Sequence, residues 1–173
     1  MNFNEVFNFE NLYKCAKKSC NGVRWKTSTQ LYEEFLVKNV VLTLKDLQNG
    51  TYKSKGFFEF DIHERGKNRH IKSVHISERV VQKCLCDYCL APIVRNKLIY
   101  DNGATLKNKG LGFSVRRIKT HLHRYYRKYG NNGYVLTFDI HHFFDSINHE
   151  KLLNIMKNYI TDEKLFTLYK HFI

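Results

Sequence analysis

The sequence predicts a mixed α/β (α+β), helix-rich fold. Three observations predict it. Apolar residues recur at helical spacing over several stretches, apolar and acidic residues alternate around Phe58, Phe60 and Ile62, and a single proline, Pro92, interrupts the chain. Hydrophobic residues make up 43% of the 173 and aromatics 14%, the reverse of a disordered composition and enough for a real core.

The elements follow in order. Thr27–Gly50 reads as one helix: Thr27 and Gln30 have capping-box spacing, Gly50 is a stop, and Leu31, Phe35, Leu36, Leu42 and Leu47 fall roughly on one face. Phe57–Ile76 reads as a β-hairpin turning through Arg65-Gly66-Lys67-Asn68, with Arg69–Ile76 extended again and Val74 and Ile76 on one side. Ser77 is the expected cap of a helix running to Leu90, with Val81, Cys84, Leu85 and Tyr88 inward and Pro92 at its end. Asp101–Gly112, rich in Gly, Asn and Lys, reads as a loop, and Ser114–Tyr129 as a strongly basic helix. After a turn at Asn131-Asn132-Gly133, the nearly continuous apolar run Tyr134–Ile140 reads as a buried strand. His149–Tyr159 and Asp162–Phe172 read as two helices, the second capped by Thr161. No internal repeat or low-complexity tract appears.

Charge is the first functional clue. Lys and Arg number 29 against 16 Asp and Glu, a net charge of +13, which favours a polyanionic partner. No stretch approaches the roughly 18 apolar residues of a membrane span, and the opening Met1-Asn2-Phe3-Asn4-Glu5 is no signal peptide, so nucleic acid is preferred over a membrane. Plain solubility is the bland alternative. Five cysteines without a signal peptide imply free thiols in a reducing compartment, the cytoplasm. Cys84-x-Cys86-x-x-Cys89 lacks a following Cys/His pair at zinc spacing and reads as core.

Three segments carry candidate chemistry. In Phe138-Asp139-Ile140-His141-His142-Phe143-Phe144 a buried strand ends in Asp139. A carboxylate there is costly unless something positive meets it, and a divalent metal is a natural partner. Phosphoryl transfer to a primer hydroxyl uses two such ions, and Phe144 can pack over a sugar and exclude a 2′-hydroxyl. The same residues also read as a strand-end Asp capping the next turn, with both Phe in the core. At the hairpin, Gly66 permits a tight turn flanked by Lys67 and Arg69, cations that can neutralise a nucleotide's phosphates or simply keep the hairpin soluble. The basic helix, with Arg116, Arg117 and Arg124 and preceded by Lys107 and Lys109, suits a nucleic-acid backbone, and Tyr125, Tyr126 and Tyr129 either stack on bases or pack inward.

The order of these segments resembles reverse transcriptases, especially bacterial ones of the group II intron, retron and diversity-generating kind. Glu64-Arg65-Gly66-Lys67-Asn68-Arg69, Glu78-Arg79-Val80-Val81-Gln82 and Leu90-Ala91-Pro92-Ile93 are similar to the family's fingers. Asn102-Gly103-Ala104 with Lys109-Gly110 is similar to its next block, and Phe138–His149 to the first catalytic block of the palm. The resemblance covers roughly residues 50 to 155. It implies residues 1–50 as an N-terminal helical extension, 51–133 as fingers and 134–173 as the first part of a palm.

The resemblance further implies that Asp139 is a catalytic metal ligand with the Ile140 carbonyl as a second. Phe144 is implied as the gate against ribonucleotides, Lys67 and Arg69 as triphosphate ligands, and the His142 and Phe143 amides as facing the triphosphate. Asp145, past the gate, is implied to be no ligand. The implied cofactor is Mg²⁺ or Mn²⁺, and the partners are an RNA template, a primer and deoxynucleoside triphosphates. Two departures stand out. His63-Glu64-Arg65 replaces the Lys common before the fingers turn, with Arg65 as its substitute. No Asp-Asp pair, the family's second catalytic block, occurs in the sequence. The expectation is therefore a fragment of fingers and partial palm, inactive alone and able to self-associate. The rivals are a non-catalytic nucleic-acid-binding module on the same scaffold and an assembly domain whose charge serves solubility.

Overall fold

Asn2 and Glu5 cap one another at the start of the chain: the Asn2 carboxamide oxygen accepts the Glu5 N–H at 2.9 Å, and the Asn2 N–H donates to the Glu5 carboxylate at 2.8 Å. This computed structural model describes every residue except 105. The described residues form two compact units, Met1–Leu90 with Ile160–Ile173, and Ala91–Tyr159. The architecture is mixed α+β and rich in helix, with a two-stranded antiparallel sheet. No described helix is long and apolar enough to cross a membrane.

In the first unit, α1 (Phe3–Val6) leads into α2 (Phe9–Cys20), capped by the Asn8 side chain on the Asn11 N–H at 2.9 Å. Leu12, Cys15, Ala16 and Cys20 recur at helical spacing and are fully buried. This stripe packs on α5 (Ile76–Leu85) and α4 (Leu36–Asn49). Val6, Phe7, Val80, Val81, Cys84 and Cys89 complete the centre of the core. Each such fully buried large apolar side chain contributes about 1.5–3 kcal/mol. The thiols are free, with Cys86 exposed and the other four in the core.

The single helix expected over Thr27–Gly50 is two helices, α3 (Thr27–Glu34) and α4, broken at Phe35 with φ −107° and ψ 32°. The break rephases the faces. Tyr32, Leu36, Val40 and Leu47 are buried, whereas Leu31, Phe35 and Leu42, expected on the inner face, are exposed. Thr27 is inside α3 rather than its cap; Lys26 precedes it without a side-chain bond, and Gln30 donates to the Arg24 carbonyl instead. Gly50 ends α4 with φ 71°, a left-handed conformation that glycine adopts without strain.

The hairpin is β1 (Phe57–Glu64) and β2 (Lys67–Val74), paired from Phe57↔Val74 to Glu64↔Lys67. The turn is narrower than expected. Only Arg65 (φ 51°) and Gly66 (φ 75°) lie between the strands, the positive-φ pair of a type I′ turn, and Lys67 and Asn68 belong to β2. Ile76, expected in the strand, opens α5. The cap is His75, whose Nδ1 accepts the Ser77 N–H at 3.2 Å, so Ser77 is not the cap. The helix does not run regularly to Leu90: Cys86–Leu90 is a π turn, and its wider winding buries Cys89 while leaving Tyr88 half-buried. The buried Glu78 carboxylate accepts from the Ser54 hydroxyl at 2.7 Å and the Lys55 N–H at 3.1 Å, fixing the coil after α4 to α5. α9 (Glu163–His171) is capped by Asp162 on the Leu165 N–H at 3.0 Å, not by Thr161. The other Asp162 oxygen accepts the Phe3 N–H at 2.9 Å.

In the second unit, α6 (Ala91–Arg95) directly follows the π turn, and the helical run stops at Arg95, three residues beyond Pro92. The expected loop includes residue 105, outside the described residues, and gives way at Leu111 to α7 (Leu111–Tyr129). The turn beyond α7 is held by the Tyr125 hydroxyl, which donates to the Asn132 carbonyl at 2.6 Å. Tyr134–Ile140, expected as a buried strand, is an exposed segment paired with no strand among the described residues. An apolar run encodes a tendency to be buried, but a strand also needs a neighbour for its N–H and C=O groups. Asn148 then caps α8 (His149–Lys157).

Candidate active site and basic surface

Strand pairing sorts the hairpin side chains onto two faces. One carries Phe58, Phe60, Ile62 and Ile71, and towards the turn Glu64, Lys67 and Arg69. Arg69 reaches Glu64 at 3.7 Å, an exposed contact of little strength. Arg65 occupies the turn itself. The tip thus presents three cations around one carboxylate. The opposite face carries Glu59, Asp61, His70 and Lys72. His70 sits 2.8 Å from Asp61 and 3.1 Å from Glu59, and Lys72 is 3.4 Å from Glu59. The hydrogen bond to Asp61, then that to Glu59, raises the His70 pKa above its ordinary value.

Asp139 is exposed, and its Oδ1 accepts the N–H of Ile140 at 2.9 Å. The chain then turns. His142 takes a left-handed φ of 49°, its carbonyl accepts the Ser146 N–H at 2.9 Å, and the Ser146 hydroxyl donates to the Phe143 carbonyl at 2.9 Å. Asp145 lies 3.2 Å from His142 Nδ1. The N–H groups of His142 and Phe143 donate to no acceptor among the described residues. Phe144 is 82% exposed and meets Phe143 edge-on, with centroids 5.3 Å apart. Two oxygens suited to a divalent cation, the Asp139 carboxylate and the Ile140 carbonyl, are therefore adjacent in sequence. No cluster of three or more His, Cys, Asp or Glu side chains that fits a metal ion occurs among the described residues.

The basic residues of α7 form two adjoining stripes, Arg116, His123 and Arg127 on one and Arg117, His121, Arg124 and Lys128 on the next. They are not equivalent. Arg117 donates through Nε to Asp101, and His121 Nε2 lies 2.6 Å from the other Asp101 oxygen. The Arg117 guanidinium first, and His121 second, hold the Asp101 carboxyl down to about 2. Lys109 donates to the Tyr100 carbonyl and lies 4.3 Å from the Tyr100 ring centroid and 3.7 Å from that of Phe113. Arg117 and Lys109 thus brace the loop against α7, while Lys107, Arg116 and Arg124 stay exposed. The apolar stripe Val115, Ile118, Leu122, Tyr125 and Tyr129 is exposed as well.

Sequence reasoning missed the hub role of Asp101, because no local spacing rule links it to a helix sixteen positions on. It also missed Glu78, which carries no sequence mark of burial. No protein-family model matches the chain, and no curated protein matches it.

Proposed function

We propose that the chain supplies the fingers and the first palm segment of an RNA-directed DNA polymerase. The observation that carries this reading is the two-residue turn that sets Arg65, Lys67 and Arg69 at the free end of a hairpin, followed along the chain by Asp139 beside Phe143 and Phe144. The hairpin cations would neutralise the triphosphate of an incoming deoxynucleotide, Arg offering a planar two-point grip. The free N–H groups of His142 and Phe143 would add donors to the phosphates, and the exposed Phe144 ring would meet the sugar.

Asp139 and the Ile140 carbonyl would hold a Mg²⁺ or Mn²⁺ ion, which in such enzymes activates the primer hydroxyl and steadies the triphosphate. One carboxylate does not hold two ions, so the reading assigns the partner carboxylates to polypeptide outside Met1–Ile173. By itself this chain would be silent in primer extension, and it would self-associate through its uncovered apolar surface. The RNA template and primer would lie along α7, by way of Arg116, Arg124 and Lys107.

A second reading, a nucleic-acid-binding module without catalysis, is favoured by the exposed basic stripes of α7. Primer extension on an RNA template by the polypeptide that the intact gene encodes separates the two. The polymerase reading expects Mg²⁺-dependent extension that Asp139→Ala abolishes while RNA affinity is kept. Extension by the variant at the wild-type rate overturns the role of Asp139.

A further inference from the structure

A cavity of about 220 Å³ lies between the start of α3, the base of the hairpin and the first turns of α5. It is smaller than the roughly 300–1,000 Å³ of sites that enclose a whole small molecule, and suits one compact group. No Asp or Glu lines it, and its charged members are Lys26 and Arg79, both half-buried. The Arg79 guanidinium makes one hydrogen bond among the described residues, a long one to the Ser73 hydroxyl at 3.5 Å, and leaves its other donors unused. The Lys26 ammonium lies against the Trp25 ring, 5.1 Å from its centroid. Neither cation forms an ion pair among the described residues. Cations drawn partly out of water without a partner are costly, and an anion between them offsets that cost. His75 adds a donor. Burial, ahead of the Lys55 charge, lowers its pKa, so the ring is neutral at neutral pH. Its Nδ1 accepts the Ser77 N–H at 3.2 Å, which assigns the proton to Nε2. α3 starts beside the cavity without a side-chain cap, and the N–H groups of Thr27 and Ser28 donate to no acceptor among the described residues. Thr29, only 2% exposed, lines the cavity too. Its hydroxyl has no hydrogen-bond partner among the described residues and is not one of the side-chain atoms sealed from solvent.

An apolar group in this cavity would leave both cations unmatched. A carboxylate would match the guanidinium, but its two oxygens lie in one plane and cannot meet donors on several sides. A phosphate group offers oxygens in a tetrahedral array to α3, β2 and α5 at once. We propose that this cavity is a phosphate-binding site, with Arg79 and Lys26 as its charged ligands and the hydroxyls of Ser28, Thr29 and Ser73 as its neutral ones. The exposed rings of Phe58 and Phe60 form part of the wall, beside whatever carries the phosphate. A free phosphate monoester and the backbone phosphodiester of a nucleic-acid strand share this chemistry, and the net charge of +13 suits both. The site uses none of the residues of the polymerase reading, so either proposal stands if the other fails.

Trp25 is the one tryptophan of the sequence and sits against Lys26, so its fluorescence reports on the cavity without a label. The test titrates the full chain with inorganic phosphate at constant ionic strength, with acetate as the planar comparison. A saturable change is expected with phosphate and none with acetate. In Arg79→Gln the midpoint is expected to rise at least about tenfold, the loss of a charge-assisted contact. Phosphate is also expected to raise the melting temperature of the unaltered chain and not that of the variant. Should Arg79→Gln fail to fold, Lys26→Gln is read by the same melting shift and is expected to lose most of it. No saturable change, a change that acetate reproduces, or one that the variants retain overturns the proposal. Two further probes separate the sources. A Trp25 response to a single-stranded RNA of about ten nucleotides without a terminal phosphate assigns the site to a backbone phosphodiester. A response to adenosine 5′-monophosphate but not to that RNA assigns it to a monoester, and silence with both assigns it to inorganic phosphate.

Discussion

Asp101 and Arg117 meet side by side, the guanidinium Nε–H on one carboxylate oxygen while His121 approaches the other at 2.6 Å. An acid whose pKa is depressed contributes stability that is complete above its ordinary value, here 3.8, and is lost as pH falls through the folded-state value of about 2. A carboxyl-carbon NMR titration is expected to place the Asp101 midpoint near that value. The brace also diverts charge from α7. Asp101→Asn is expected to release Arg117 and His121, tighten RNA binding and steepen its salt dependence by about one unit of logarithmic slope. Unchanged salt dependence counts against α7 as a nucleic-acid surface.

Phe144 is exposed next to a half-exposed Phe143, which leaves its ring free to meet a sugar. On the polymerase reading, Phe144→Ala in the polypeptide that the intact gene encodes is expected to raise ribonucleotide incorporation by about tenfold or more, the discrimination a single apolar wall supplies. Steady-state incorporation of ribo- and deoxynucleotides measures it, and unchanged sugar selectivity removes the gate role.

Lys67 and Arg69 share one hairpin face, two positions apart. Reversing both charges, Lys67→Glu with Arg69→Glu, is expected to raise the KM for deoxynucleotide at least about tenfold, since a hydrogen bond to a charged group is worth about 1.5–3 kcal/mol. A normal KM in the double variant returns the hairpin to a solubility role.

His70 gives the opposite face its pH dependence. Its pKa is raised, chiefly by Asp61 and then Glu59, so its contribution is complete below the ordinary histidine value of 6.5 and fades as pH rises through the raised one. Amide exchange in β1 and β2, corrected for intrinsic rates, is expected to show the hairpin opening more readily as pH climbs through that window. His70→Asn is expected to flatten the profile.

Local signals were legible in the sequence and non-local ones were not. The hairpin could be read because alternation and an Arg-Gly turn act within a few residues, and α7 because its basic and apolar stripes repeat at helical spacing. The break at Phe35 carries neither Gly nor Pro, so nothing local distinguishes two helices from one long one. The apolar run at Tyr134–Ile140 states a preference for burial without naming a partner strand. The Asp101 brace and the Glu78 anchor both depend on segments that meet only after folding.

Tyr134–Ile140 also bears on how the protein behaves in the tube. The run is rich in β-favouring side chains, contains no proline and has a single charge, that of Asp139. Exposed and, among the described residues, unpaired with another strand, it can template stacking between molecules, and Asp139 is then the gatekeeper that keeps the protein colloidal. Replacing Asp139 by alanine removes that gatekeeper together with the carboxylate. A loss of activity in the variant is therefore to be read only beside light scattering on the same sample, and Asp139→Lys, which abolishes the carboxylate while preserving a charge, is the matched control.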